Sequence, residues 1–296
     1  MVSKSVGTSH TGVQISNSEL VKCLVEAVKA RDLPGMADID TSLYLFCKEV
    51  KKDFKVAVSG ECADEIFGGY PWFYRKEALN SSTFPWAREL DFKFNMFSQE
   101  IINEISPREY IREKYCEALN EVPYLKGESK KSARMRELFY LNITHWMPVL
   151  LDRKDRMSMY TGLEVRVPFC DHRLVQYVWN IPWKMKNHGG RRKGIFRAAL
   201  EGILPEEVLL RPKNPYPRTF NPSYFQAVRE WLNNIIEDPQ SPLHKVINEE
   251  RVREVLKYDE PEMNVPWFGQ LMRLPQLFAY LIQVNIWMEE YNITLV

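Results

Sequence analysis

The run Ser59-Gly60-Glu61-Cys62-Ala63-Asp64-Glu65 sets a hydroxyl, an unsubstituted turn residue and several carboxylates within a few positions of one another. Val56-Ala57-Val58 precedes it and is too short for a helix. Its unbroken apolarity predicts a strand covered on both faces of a parallel sheet. Ser59-Gly60 ends that strand, where open α/β sheets take their ligands. An acidic helix start follows, closed by Gly68-Gly69. The first N–H groups of a helix lack partners and favour an anion. Asp64 and Glu65 fall in this first turn. An acid there complements the helix dipole or holds a hard cation such as Mg²⁺ against a phosphate. The chemistry suggested is phosphate plus metal, although an ordinary strand-to-helix turn reads the same way from this segment alone.

Two further clusters could do chemistry. Asp152, Asp155, Arg156, Glu164 and Arg166 interleave with Met157, Met159, Val165, Val167 and Phe169. Charges set among apolar residues before a Val-Pro-Phe turn predict paired, partly buried ions. A structural ion-pair network and a pocket wall both fit that pattern. Lys193 stands among Arg191, Arg192 and Arg197. Such a cluster is either a solvated basic face or a set of cations placed where negative charge develops. Arg197 lies one helical turn beyond Lys193 and would project from a similar face.

Three blocks resemble one family, in that family's order. SGECADEIFGGYPWFY, from Ser59, is similar to the second pyrophosphate-handling motif of the glutamine-dependent asparagine synthetases. LDRKDRMSMYTGLEVRVPF, from Leu151, resembles the most recognisable internal stretch of their synthetase domain. RKGIFR, from Arg192, with Leu204-Pro205-Glu206-Glu207-Val208 and Arg211-Pro212-Lys213, resembles their later lysine motif. The likeness runs from the first residues to about position 235 and more loosely to the end.

The resemblance implies an α/β fold: a partial parallel-sheet layer of the ATP-pyrophosphatase (adenine nucleotide α-hydrolase-like) type, then a large, mostly helical region. Residues 1–296 would form one synthetase domain, truncated at its N-terminus, with the nucleotide-site remnant in 1–75 and the helical part in 76–296. It implies ATP and Mg²⁺ as cofactors and aspartate and ammonia as substrates. The ammonia would come from glutamine at a separate glutaminase domain. Ser59 and Gly60 would touch ATP, Glu61 would assist formation of β-aspartyl-AMP, and Asp64 would bind Mg²⁺ and pyrophosphate. Lys193 would stabilise charge during adenylation, with Arg197 beside it. Asp152, Asp155, Arg156, Glu164 and Arg166 would shape the amino-acid pocket.

The sequence departs from the family pattern in two large respects. The Ser-Gly-Gly-x-Asp-Ser phosphate loop that opens the family's synthetase domain does not occur, and Ser59-Gly60 is the only Ser-Gly. The chain begins Met1-Val2, without the N-terminal cysteine nucleophile of the glutaminase domain. This predicts a fragment that is weak or inactive by itself. Smaller departures are Tyr160, where many members have a small residue, and Cys170, where many have Leu. These leave open an adenylating amidotransferase or cyclase acting on another carboxylate, and a non-catalytic scaffold.

Composition narrows the rest. Of 296 residues, 40 are basic and 39 acidic, leaving a net charge of +1. That gives no long-range attraction to nucleic acid or to an anionic membrane. The N-terminus has no apolar core segment of the kind a signal peptide needs, and a cytoplasmic location is expected. The stretch 265–288 is the most apolar, but Arg273, Gln276, Gln283 and Asn285 interrupt it, so it predicts a buried helix pair kinked at Pro275. Cys23, Cys47, Cys62, Cys116 and Cys170 are odd in number and scattered, which suits reduced thiols. The histidines show no zinc-ligand spacing. A homodimer is compatible with all of this.

These groups must be positioned by predictable elements. A short strand is expected near Val13-Gln14-Ile15, then a helix to about Arg31 capped by Asn17 or Ser18. Leu33-Pro34-Gly35 breaks it, and a second helix runs from Ser42 to Lys51. Ser106-Pro107 is a helix start. Helices are predicted at 107–120, 132–149, 171–179, 193–202, 222–236 and 249–257.

Overall fold

The computed structural model describes residues 2–88, 90–214, 216, 219, 221–259 and 272–295. Its sheet is minimal. Strand β1 (Val56–Val58) pairs in parallel with β2 (Glu164–Arg166), with Val56 opposite Glu164 and Val58 opposite Arg166. Each strand comes from one side of residue 75, so the sheet joins the two parts of the chain. The double-sided burial expected of β1 is not found: Val58 is 72% exposed. Ala57 and Val165 alone pack against a core, formed there by Leu43, Tyr44, Met157 and Leu163. Among the described residues β1 has one neighbouring strand. With no second neighbour and no layer over its other face, its apolar side chains meet solvent.

The remainder of the described residues is mostly helical. The largest core gathers around Leu274–Glu290, against which Pro222–Glu237 and Leu24–Arg31 pack, with Asn17–Lys22 packed on Pro222–Glu237. Leu277, Phe278, Leu281 and Ile282 are fully buried there. Pro275 sits at the helix start, where its missing N–H costs nothing, and does not kink it. The expected helix pair is therefore, over the described part, one helix; residues 265–271 of that stretch lie outside the described residues. The polar interruptions have partners. The Gln283 carboxamide oxygen accepts from the N–H groups of Gly35 and Ala37 at 3.2 and 3.3 Å. Asn285 accepts from the Ser241 hydroxyl at 2.8 Å. Among the described residues no helix is long and apolar enough to cross a membrane.

Other expectations shift locally. Residues 13–15 are not a strand. The first long helix is capped by Ser16 through a reciprocal Ser16–Glu19 capping box and is interrupted at Cys23. The next helix begins at Asp38, before Ser42. Lys130–Leu141 and Met147–Tyr160 run on through a π-helical turn, Asn142–Trp146. Pro148 lies just beyond and has no N–H for the α-helical ladder, which accounts for the local widening.

Candidate active site

A cleft of about 520 Å³ opens beyond the carboxyl end of β1. Ser59, Gly60, Glu61 and Asp64 all line it. The Ser59 N–H is spent on the carbonyl of Arg166 at 2.8 Å, which extends the ladder by one bond. Gly60 is open: a Cβ there would meet nothing within 4 Å. The strand-end turn therefore leaves space for a ligand.

Asp64 belongs to the short helix Ala63–Phe67, which stops at Gly68 with φ of 73°. Gly69 then passes so close to the Asp64 carboxylate that an added Cβ would lie 1.6 Å from Oδ1. The double glycine is thus what lets Asp64 turn into the cleft. Two ammonium groups hold it: Lys193 at 2.9 Å on Oδ1 and Lys213 at 2.5 Å on Oδ2. Burial alone would raise the Asp64 carboxyl; Lys213 and then Lys193 outweigh it and keep the group below its ordinary value. Lys193 reaches Asp64 from the residue preceding Gly194–Ala199, in a left-handed conformation with φ of 55°. Phe196 of that helix stacks on Phe67 with centroids 5.0 Å apart, fixing the two helices together.

Glu61 is held from the other side. Its Oε1 lies 3.4 Å from the Lys154 ammonium and 3.8 Å from the Arg153 guanidinium. Its Oε2 is buried without a hydrogen-bond partner among the described residues, an orphan acceptor of the kind that calls for a ligand or ion. Arg153 is itself buried and also lies 3.9 Å from Asp40. Asp40 accepts from Arg31 at 3.1 Å and from the Met36 N–H at 2.7 Å. A buried ion network thus anchors Glu61 to the turn before Asp38–Lys51.

An aromatic wall closes the cleft. Tyr70 stacks on Trp72 at 4.2 Å, and Trp146 of the π-helical turn stands edge-on to both. The Tyr70 hydroxyl donates to Glu65 at 2.5 Å. Glu65 is buried, and that burial raises its carboxyl despite the bond.

Not all the sequence-derived site residues converge. Lys193 contacts Asp64, but Lys213 rather than Lys193 lines the cleft. Arg197 does not face the cleft: it donates to the carbonyls of Arg192, Leu209 and Arg211 and clamps the connection between them. It does not share a helical face with Lys193 because Lys193 lies outside the helix. Asp152, Asp155, Arg156, Glu164 and Arg166 are also off the cleft. Asp152 pairs with Arg156, Arg156 with Asp32, and Glu164 with Arg166, all at the surface. Asp155 is exposed. The side chains of this block that turn inward are Arg153 and Lys154. Lys213 had appeared only inside a motif match. Its single sequence signal was a lysine in a proline-rich connector.

Cysteine pairing also departs from expectation. Cys62, in a left-handed conformation at φ of 74°, is bonded to Cys170. Cys23, Cys47 and Cys116 are free. The pair is 108 positions apart in sequence, so no local spacing could reveal it. The parallel strands bring their carboxyl ends side by side, with the β1 turn against the turn after β2.

This is a mostly helical α/β protein whose cleft, lined by both carboxylates and cations, lies at a parallel strand end, the place where open α/β sheets take their ligands. Residues 1–289 match the family described as asparagine synthase, and the chain belongs to that family. It is 51% identical over 292 residues to asparagine synthetase (glutamine-hydrolyzing) 3 of Bacillus subtilis, covering 99% of this chain and 47% of that protein. A second Bacillus subtilis protein, asparagine synthetase (glutamine-hydrolyzing) 1, is 29% identical over 81% of this chain and 43% of its own length. The human asparagine synthetase (glutamine-hydrolyzing) is 24% identical over 80% of this chain and 35% of its own length. The chain spans about half the length, or less, of these relatives.

Proposed function

We propose that this chain is the synthetase portion of a glutamine-dependent asparagine synthetase and that its cleft adenylates the side-chain carboxylate of aspartate. The observation that carries this reading is Asp64, a buried carboxylate gripped by Lys193 and Lys213 in the cleft that Ser59, Gly60 and Glu61 also line. Phosphoryl-transfer chemistry asks the protein for placed charge and for positioning.

In the proposed reaction an oxygen of the aspartate side chain bonds to the α-phosphorus of ATP. The bond from that phosphorus to the bridging oxygen breaks, and pyrophosphate leaves. Ammonia then adds to the acyl carbon of β-aspartyl-AMP, AMP departs, and a proton passes to solvent. The ammonia would come from a glutaminase domain of the full-length protein.

Lys213 and Lys193 would exchange Asp64 for phosphate oxygens and neutralise the charge that builds during transfer. Ser59 and Gly60 would contact the nucleotide through hydroxyl and backbone. Glu61 would turn its unpartnered oxygen toward the reacting groups, steadied by Lys154 and Arg153. Magnesium fits through Asp64. The described residues bring together no group of three acidic, histidine or cysteine ligands, so phosphate oxygens would complete its shell. When bound, the ion would offset phosphate charge.

The strand pair would represent the ATP-pyrophosphatase-type layer, with 1–75 and 76–296 as parts of one domain. The proposed location is the cytoplasm, where reducing thiols would act on the Cys62–Cys170 bond. The test is aspartate-dependent ATP–pyrophosphate exchange with Mg²⁺ in the full-length protein. Exchange that requires aspartate supports the reading. Exchange with another acid and none with aspartate would replace aspartate as the substrate, and no exchange with any acid would point to a scaffold.

A further inference from the structure

A second cavity, of about 400 Å³, lies behind the aromatic core, between residues 123–132, the helix Lys130–Leu141 and the segment 179–186. Lys186 lines it and is 1% exposed. Its ammonium sits 3.7 Å from the centroid of the Phe139 ring. Among the described residues no carboxylate or other hydrogen-bond acceptor pairs with it. A buried ammonium of this kind is costly and requires an explanation.

We propose that this cavity is a ligand site for a small monocarboxylate with an apolar body, with Lys186 facing its carboxylate. The other charges on the cavity wall cancel. Arg136 is held by both oxygens of Glu128 at 3.1 and 3.2 Å and lies over the Trp179 ring at 5.6 Å. Glu128, Arg136 and Lys186 therefore leave one positive charge, which a monoanion neutralises and a phosphate dianion overshoots. The rest of the wall is mostly apolar, with Trp179, Trp183, Ile181, Met135 and Leu125 prominent and Ser132 and Asn180 as its uncharged polar side chains. Flat, rigid aromatic walls with one polar anchor are the usual make-up of a small-molecule site. Free aspartate does not suit it, because its own ammonium would face Lys186 and Arg136. Burial, and after it Arg136, lowers the Lys186 amine to about 7, as expected for a cation whose counter-ion is absent.

The probes are sodium benzoate and its neutral counterpart benzamide, titrated calorimetrically into this chain and into K186M. Benzoate is expected to bind the native chain at least tenfold more tightly than benzamide. That preference should vanish in K186M while benzamide binding stays within about twofold. Pyrophosphate, which the first cleft would take, should leave benzoate binding unchanged. The proposal is overturned if benzoate shows no preference over benzamide, keeps it in K186M, or is displaced by pyrophosphate. The native comparison and the pyrophosphate competition decide the matter alone if K186M does not fold.

Discussion

Lys213 donates to Asp64 at 2.5 Å from 149 positions further along the chain, and its ammonium also lies 4.8 Å from the centroid of the Tyr70 ring. One lysine therefore ties a proline-rich connector to the helix start after β1 and sits beside the aromatic wall. K213M removes a cation from the cleft and leaves Asp64 with Lys193 alone. Aspartate-dependent exchange in the full-length protein should fall by roughly 10²–10³-fold, the usual cost of one placed charge-stabilising donor. Arg156 pairs at the surface with Asp152 and Asp32, so R156A should change the rate by less than about threefold. Equal losses in the two variants would contradict this division of roles.

What was legible in the sequence was local. The turn at Ser59-Gly60, the acids at Asp64 and Glu65 and the stop at Gly68-Gly69 lie close together in the chain, so their order sets the backbone path around Asp64. The charged block misled because neighbouring helix positions differ by about 100° in direction. Charge density marks the helix Met147–Tyr160 but not which face meets Asp40, and it is Arg153 that turns inward while Asp152 turns out. Lys213 lies in irregular chain with no periodicity to place it. Val58 is exposed because none of the described residues covers it, which no local pattern encodes, and the Cys62–Cys170 bond follows from strand order rather than spacing.

Glu61→Gln keeps the shape and removes the charge that faces Lys154 and Arg153. Exchange activity should fall by about 10²-fold, with KM for ATP little changed, if the carboxylate acts on the reacting groups. The pair is partly buried, so stability should also drop, by about 1–3 kcal/mol, because Lys154 and Arg153 lose a counter-charge. Urea unfolding of this chain separates the two effects. A variant as unstable as expected but fully active would leave Glu61 with a structural role only.

The disulfide makes a countable prediction. Three thiols should react with a thiol reagent in the denatured, unreduced chain, and five after reduction. Closing a loop of 108 positions stabilises the fold by ~5 kcal/mol in the chain-entropy model. C170S should therefore lower the unfolding midpoint under oxidising conditions and change nothing in the presence of a strong reductant. A native chain that shows five reactive thiols before reduction would mean that the bond does not form in solution.

Lys186 gives stability an unusual dependence on pH. Its amine is lowered from 10.5 to about 7 by burial and then by Arg136, whose own charge is met by Glu128. Between about pH 7 and 10.5 the unfolded chain carries the proton and the folded chain does not. Stability from this group therefore rises with pH across that window, and its penalty is greatest below about pH 7, where both states are charged. K186M removes the penalty. It should be more stable than the native chain at pH 6, by on the order of a few kcal/mol, with the advantage shrinking steadily toward pH 10. Paired urea denaturations at pH 6, 8 and 10 measure it. An advantage that stays constant with pH would show that Lys186 keeps its proton in the fold. The cavity would then already supply a counter-charge, and the place kept for a carboxylate ligand would be filled from within.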